Sequence, residues 1–171
     1  MTSVTAPITS RRQTWTAAFL LLAMAATVGT ALAFQHLGGY IPCKLCFEQR
    51  YPYYVGMPLM ALALLSTLLH WPAVVTRGLL ILGGLLMAYG LYLGIYHAGV
   101  EWAWWSGPTD CAAVAPVDTG GNGVLDAINT IIPPSCDKAA LRVLGLSFAG
   151  WNAVVSLILA VVAFRGAFAR A

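Results

Sequence analysis

The chain contains 171 residues, of which 60% are hydrophobic and only 9% are charged. Soluble domains usually carry about 25% charged residues, so this composition excludes an ordinary soluble protein and indicates an integral membrane protein. The net charge of +3 comes from a few scattered basic residues, which argues against binding to nucleic acid.

Four stretches are apolar and long enough to cross a bilayer, for which roughly 20 residues are needed. They cover residues 15–36, 46–69, 74–97 and 141–164. The sequence therefore predicts one domain over residues 1–171, an all-α antiparallel bundle of four transmembrane helices. A short outer loop covers about 37–45. A long, flexible outer loop covers about 98–140 and is predicted to carry a short amphipathic helix at 124–132.

The distribution of charge orients the bundle. The side that holds both termini carries only basic residues, whereas all six carboxylates fall on the opposite side or at the outer helix ends. Because an excess of Lys and Arg marks cytoplasmic loops, we predict that both termini are cytoplasmic and that the cysteine loops lie on the opposite side of the membrane. Ala31-Leu32-Ala33 also has the pattern of a signal cleavage site, an alternative that leaves the other three spans in place.

All four cysteines fall on the outer side, where disulfides persist. Cys43 and Cys46 form a Cys-x-x-Cys motif at the outer end of the second span. A helix N-terminus lowers the pKa of a thiol, and Arg50 lies one helical turn after Cys46, so we interpret Cys46 as a poised thiolate in a redox-active pair. The alternatives are a static disulfide and a metal site, although a zinc site needs two further ligands.

Cys111 and Cys136 bracket most of the second outer loop. Linking them would stabilise the loop by roughly 3–4 kcal/mol in the chain-entropy model, which is one reading of the pair. The other reading, which we favour, is an exchanging disulfide in a mobile loop, because a thiolate must line up with a sulfur in order to attack it.

Arg50 and His97 are the other candidate site residues. A charged side chain at mid-bilayer costs about 2.5–3.5 kcal/mol, so we expect Arg50 to hold the Cys46 thiolate and to polarise a carbonyl oxygen of an electron acceptor. The alternative is an arginine that reaches lipid headgroups. His97, near the outer end of the third span, can donate a hydrogen bond or proton to the reduced acceptor, or be an interfacial residue only.

Together these residues resemble a known family. Pro-Cys-x-Leu-Cys-x-x-x-Arg opens the second of four spans, Tyr96-His97 ends the third, and two cysteines follow in the next outer loop. This pattern resembles the DsbB family of bacterial inner-membrane quinone reductases, which reoxidise the periplasmic thiol oxidase DsbA. The resemblance covers residues from about 13 to 165.

The resemblance implies a route for electrons. A DsbA-like oxidase with a thioredoxin fold attacks the Cys111–Cys136 disulfide at Cys111, and Cys136 then attacks Cys43 and expels Cys46. The Cys46 thiolate donates to a quinone held near Arg50 and His97, which regenerates the Cys43–Cys46 disulfide. The implied activity is that of a protein-thiol:quinone oxidoreductase without a metal, with ubiquinone favoured over menaquinone.

Several alternatives stay open. Lys44 stands where the best-known members have an apolar residue, which is consistent with a paralogue that serves a specialised oxidase. Static disulfides, a metal or solute transporter and a vitamin-K-reductase-like enzyme are the competing readings. The sequence does not set the quinone, the partner, the resting disulfide pairing or the oligomeric state.

Overall fold

A computed structural model of the protein describes residues 11–109, 111 and 136–168. Most of the second outer loop, including the amphipathic helix predicted at 124–132, lies outside these residues. The N-terminal tail over residues 1–10 lies outside them as well.

Four helices in the described part of the chain are long and apolar enough to cross a membrane. The second of these spans, Lys44–Leu68, consists of two consecutive helices. In chain order the elements are α1 (Arg11–His36), α2 (Lys44–Glu48), α3 (Tyr51–Leu68), α4 (Ala73–Glu101), β1 (Arg142–Val143), β2 (Leu146–Ser147) and α5 (Phe148–Ala167). The predicted four-helix membrane fold is confirmed.

Helix α4 packs against both α3 and α5, and α1 completes the bundle against α3 and α5. The interior is filled by long flexible side chains, among which Leu20, Met24, Met60, Leu80 and Met87 are fully buried. Small residues lie where helices approach most closely, as is usual in membrane bundles, because packing rather than hydrophobicity holds the helices together in lipid.

Gly94 marks the closest approach of α4 to α5. A methyl group added there would lie 2.8 Å from the backbone nitrogen of Ala153, so Gly94→Ala is expected to separate the helices and to destabilise the bundle by about 1–3 kcal/mol. Thermal unfolding in detergent measures the effect. Gly78→Ala on the same helix is the control, because nothing lies within 4 Å of a methyl group there. Equal midpoints for the two variants would contradict the packing argument.

The second span is interrupted at Gln49 and Arg50, between α2 and α3. Pro52 lies in the first turn of α3, where its missing N–H costs no helical hydrogen bond. The interruption separates the short cysteine-bearing helix α2 from the long helix α3 and leaves Arg50 at the junction.

The fourth span starts later than the predicted range of 141–164, because α5 begins at Phe148. Residues 142–147 form a β-hairpin instead, in which Arg142 pairs with Ser147. Leu144 and Gly145 adopt φ values of 53° and 85°, the positive angles of a tight hairpin turn. The Ser147 side chain then accepts a hydrogen bond from the Gly150 N–H and caps α5.

Candidate active site

Cys43 and Cys46 lie at the start of α2. Cys43 is the residue that caps this helix, and its Sγ accepts a hydrogen bond from the backbone N–H of Cys46 at 3.3 Å. The two Sγ atoms lie 2.8 Å apart and are free thiols. Cys43 is buried, and Cys46 is partly exposed. The two sulfurs are therefore close enough to exchange a disulfide bond within the pair.

A disulfide joins Cys111 to Cys136. Cys136 is only 3% exposed and packs in a small apolar cluster with Cys43, Leu45 and Val100. The Sγ atoms of Cys136 and Cys43 and a ring nitrogen of His97 all lie within 4.8 Å of one another. The disulfide of the outer loop therefore lies directly against Cys43.

Two sulfurs and an imidazole nitrogen at such distances are also a pattern that a soft metal ion recognises. A cysteine binds a metal through its thiolate, and the Cys136 sulfur is held in the disulfide. The Cys136 sulfur is therefore not available to a metal ion while this disulfide is closed.

The hydrogen bond from the Cys46 thiol holds the pKa of Cys43 below the ordinary value for a thiol. Burial opposes this shift, whereas His97 and the backbone N–H of Cys46 assist it. The sequence led us to expect the poised thiolate at Cys46. Because α2 begins immediately after Cys43, it is the Cys43 sulfur that receives the free N–H of the first turn.

The lowered pKa predicts unusual reactivity for Cys43. In a variant with Cys46→Ser, Cys111→Ser and Cys136→Ser, the hydroxyl at position 46 still donates a hydrogen bond, and Cys43 is the only thiol. Because the thiolate is the reactive species, the alkylation rate should rise with pH and reach half its maximum well below 9.0, the ordinary value for the thiol. Alkylation followed by mass spectrometry measures the profile. A midpoint near 9 would contradict the assignment.

His97 is 2% exposed and lies on the Cys43 side of the pair. Its Nε2 is 3.8 Å from the Cys43 Sγ and 3.9 Å from Oε1 of Glu101. Its Nδ1 is 2.7 Å from Nε2 of Gln49. The sequence suggested a contact of His97 with an electron acceptor, but the described contacts of this ring are with Cys43, Gln49 and Glu101.

Gln49 belongs to a buried polar network that sequence reasoning missed. Asn152 on α5 donates from Nδ2 to Oε1 of Gln49 at 2.7 Å. The hydroxyl of Tyr53 on α3 donates to Oδ1 of Asn152 at 2.7 Å and lies 2.9 Å from Oγ of Ser156. Polar residues inside apolar spans were the available signal, but their spacing in the chain does not show which of them meet.

A cavity of about 400 Å³ opens beside Cys46. Its polar lining includes Cys46, Gln49, Arg50, Gln35, Tyr53 and Asn152, and its apolar walls include Phe34, Tyr40, Phe148 and Trp151. A mostly apolar cavity of a few hundred Å³ with a few polar groups is typical of small-molecule sites. Neither Cys43 nor His97 is among its lining residues. Cys46 therefore faces the cavity, whereas Cys43 faces the loop disulfide.

Arg50 lies on the wall of this cavity. Its Nη1 donates to Oε1 of Gln35 on α1 at 2.7 Å. Among the described residues, the hydrogen bond of the Arg50 guanidinium is to Gln35 and not to the Cys46 sulfur. The arginine is thus held across two helices, and its planar group has further N–H donors for another acceptor.

The cysteine pair, the adjoining disulfide and the arginine agree with a comparison against known families. Residues 12–165 match the family model described as disulfide bond formation protein DsbB. The chain belongs to the DsbB family. No curated protein and no solved structure gives a match.

Family membership makes this a multi-pass membrane oxidoreductase of disulfide formation. DsbB-family proteins are linked in general to quinones and to a DsbA-like partner. The four cysteines cluster at the end of the bundle where Arg50 lines the cavity, whereas His97 does not line the cavity and, among the described residues, contacts it only through Gln49.

Proposed function

We propose that this DsbB-family protein oxidises a DsbA-like thioredoxin-fold protein in the periplasm and passes the electrons to a membrane quinone. The observation that carries the proposal is the spatial order of the sulfurs. Cys136 lies beside Cys43, Cys43 lies beside Cys46, and Cys46 faces the cavity. Electrons entering at the loop disulfide can therefore leave at the cavity through two neighbouring exchanges.

The first exchange occurs at the loop disulfide. Cys111 is partly exposed, whereas Cys136 is buried, so a thiolate of the partner protein reaches Cys111 first. A bond forms between the partner sulfur and Cys111, the Cys111–Cys136 bond breaks, and Cys136 leaves as a thiolate.

The second exchange transfers the disulfide inwards. The Cys136 thiolate attacks Cys43 in an oxidised Cys43–Cys46 pair, and Cys46 leaves as a thiolate towards the cavity. The second thiol of the partner resolves its mixed disulfide and releases Cys111, which attacks Cys136 and frees Cys43. The net result is an oxidised partner, a Cys111–Cys136 disulfide and a reduced Cys43–Cys46 pair.

The residues around the cavity fit a quinone. Aromatic and aliphatic walls suit its ring and tail, and Arg50 supplies N–H donors for a carbonyl oxygen. A bound quinone accepts two electrons and two protons, which is what oxidation of the Cys43–Cys46 dithiol releases. A preference for ubiquinone over menaquinone and a contact of His97 with the quinone stay predictions.

We also propose that both termini are cytoplasmic and that the cysteines face the periplasm. Arg11, Arg77 and Arg165 lie at the same end of the four spans, and basic residues at one end indicate the cytoplasmic side. The single bundle of packed helices supports one domain over residues 1–171.

The proposal is tested with purified protein, a reduced DsbA-like protein and a water-soluble quinone. We expect oxidation of the partner's thiols and reduction of one quinone for each disulfide formed. Cys111→Ser, which removes the entry point, should abolish both signals. If the wild-type protein forms no disulfide in the partner under these conditions, the disulfides are static and the proposed function is wrong.

A further inference from the structure

The orientation of the Gln49 amide is fixed by its neighbours. Its Nε2 lies 3.2 Å from the backbone oxygen of Leu45 and 2.7 Å from Nδ1 of His97. Its Oε1 accepts a hydrogen bond from Nδ2 of Asn152. A backbone oxygen can only accept hydrogen bonds, so the Leu45 carbonyl requires the amino group of Gln49 on its side. Gln49 therefore presents an N–H, not an oxygen, to His97.

The orientation of Asn152 is fixed in the same way. Its Nδ2 lies 3.4 Å from the backbone oxygen of Gly90 on α4, and its Oδ1 accepts from the hydroxyl of Tyr53. The Gly90 carbonyl again requires an amino group, so the Asn152 amide points its donor towards Gln49. Two backbone carbonyls on different helices thus set the direction of the whole network.

This direction decides where His97 carries its proton. A ring nitrogen that accepts a hydrogen bond has no hydrogen of its own, and a neutral imidazole has one. With Nδ1 accepting from Gln49, the hydrogen is on Nε2. That nitrogen lies 3.8 Å from the Cys43 sulfur and 3.9 Å from Oε1 of Glu101, so the sulfur is within hydrogen-bonding distance and a small movement of the carboxylate would bring a second acceptor to the same N–H.

The carboxyl group of Glu101 has few hydrogen-bond partners among the described residues. Its side chain is 5% exposed, and its Oε2 is buried without a hydrogen-bond partner among the described residues. A buried polar atom without a partner is uncommon and calls for a physical explanation. A carboxylate beside a shared N–H is a second acceptor that takes the hydrogen bond whenever the sulfur does not.

We propose that Gln49 and Asn152 are positioning residues that hold His97 in its Nε2–H form. In this form His97 donates to the Cys43 sulfur when that sulfur is a thiolate, and to Glu101 when Cys43 is in a disulfide. In the proposed relay, Cys43 leaves as a thiolate in the step that restores Cys111–Cys136, and the N–H stabilises that leaving sulfur. The inference rests on the proposed function for this purpose, but the state of the ring is measured separately.

The direct test is to measure which ring nitrogen of His97 carries the hydrogen. Nitrogen-15 NMR of the histidine-labelled protein in lipid nanodiscs separates protonated from unprotonated ring nitrogens, and His97→Asn identifies the signal. We expect an unprotonated Nδ1 and a protonated Nε2 in the wild-type protein at neutral pH. A proton on Nδ1 would overturn the inference, whether or not the enzyme turns over. Conversely, an inactive enzyme with the expected ring would overturn the proposed function alone.

A second test separates positioning from general packing, using the single-thiol background and the alkylation profile described for Cys43. The titratable or charged side chains around Cys43 in the described part of the chain are His97, Glu101 and Tyr96 on α4 and Lys44 beside it in sequence. Gln49→Met frees the ring and should raise the midpoint by about one pH unit, which is tenfold less thiolate below the midpoint. Glu101→Gln removes the competing negative charge and should lower it.

If His97 shares its Nε2–H between Cys43 and Glu101, Gln49→Met and Glu101→Gln shift the alkylation midpoint in opposite directions. Asn152→Leu should shift the midpoint in the same direction as Gln49→Met, because it removes the group that orients the glutamine. Shifts in the same direction for Gln49→Met and Glu101→Gln, or no shift in either, would overturn the proposal. Should Gln49→Met fail to fold, Glu101→Gln and the NMR spectrum still decide it.

Discussion

Cys46→Ala is expected to reduce turnover to background, a loss of about 1,000-fold or more as for other essential nucleophiles, and to trap a disulfide between Cys43 and Cys136. Without Cys46 the inner pair cannot close. The Cys43 thiolate then has only the neighbouring disulfide to attack, at a sulfur within 4.8 Å, and this attack releases Cys111. Quinone-coupled oxidation of the partner measures the loss, and peptide mapping without reductant identifies the new bond.

Cys43→Ala is the matched control for this geometry. Turnover should again be lost, but Cys46 faces the cavity rather than the outer disulfide, so Cys111–Cys136 should stay intact and Cys46 should remain a free thiol. Full turnover of the Cys46→Ala protein would contradict the proposed relay. A Cys46–Cys136 bond that forms in the control as readily as Cys43–Cys136 forms in the first variant would contradict the arrangement of the sulfurs.

Arg50→Ala is expected to weaken quinone binding by about ten- to a hundredfold. A hydrogen bond from a charged group contributes about 1.5–3 kcal/mol, and about 1.4 kcal/mol corresponds to a factor of ten in affinity. The guanidinium lines the cavity and is anchored by Gln35, so its loss removes a donor that is already in place. Equilibrium titration of quinone into the purified protein, read out as bound quinone after rapid filtration, measures the change.

Two further variants define the role of Arg50. Arg50→Lys keeps the charge but not the planar fork, so it should restore only part of the affinity. Arg142→Ala removes an exposed arginine of the hairpin and should leave binding unchanged. Wild-type affinity in Arg50→Ala would mean that the arginine is an anchor for lipid headgroups and that the quinone is held by other groups.

The membrane fold follows from the sequence because each span must satisfy its own backbone in lipid. Length and hydropathy therefore predicted four helices, whereas the redox site expected from the cysteine spacing stays a prediction. The start of the fourth helix was harder to predict. Residues 142–147 are compatible with a helix in composition, but Leu144 and Gly145 take the positive φ values of a hairpin, which a hydropathy pattern does not reveal.

The sequence also could not predict which neighbours the side chains of the site residues contact. Cys43 and Cys46 are near neighbours in the chain, and only the exact start of α2 determines which sulfur caps the helix. His97 follows Tyr96 at a helix end, but its contacts depend on the rotation of α4 within the bundle. Gln49 and Asn152 lie far apart in the chain and meet because the junction between α2 and α3 lies beside α5.

Cys43 lies against the loop disulfide and Cys46 lines the cavity, so the binding site for the partner protein is separate from the binding site for the electron acceptor. In the proposed relay, the soluble oxidase needs access only to the loop disulfide, whereas the quinone needs access only to the cavity that Cys46 lines. Substitutions at Phe34 or Tyr40 can therefore change which acceptor is used without altering how the oxidase docks. A lineage that exchanges its respiratory carrier would need to remodel one wall of the bundle and could retain its periplasmic partner unchanged.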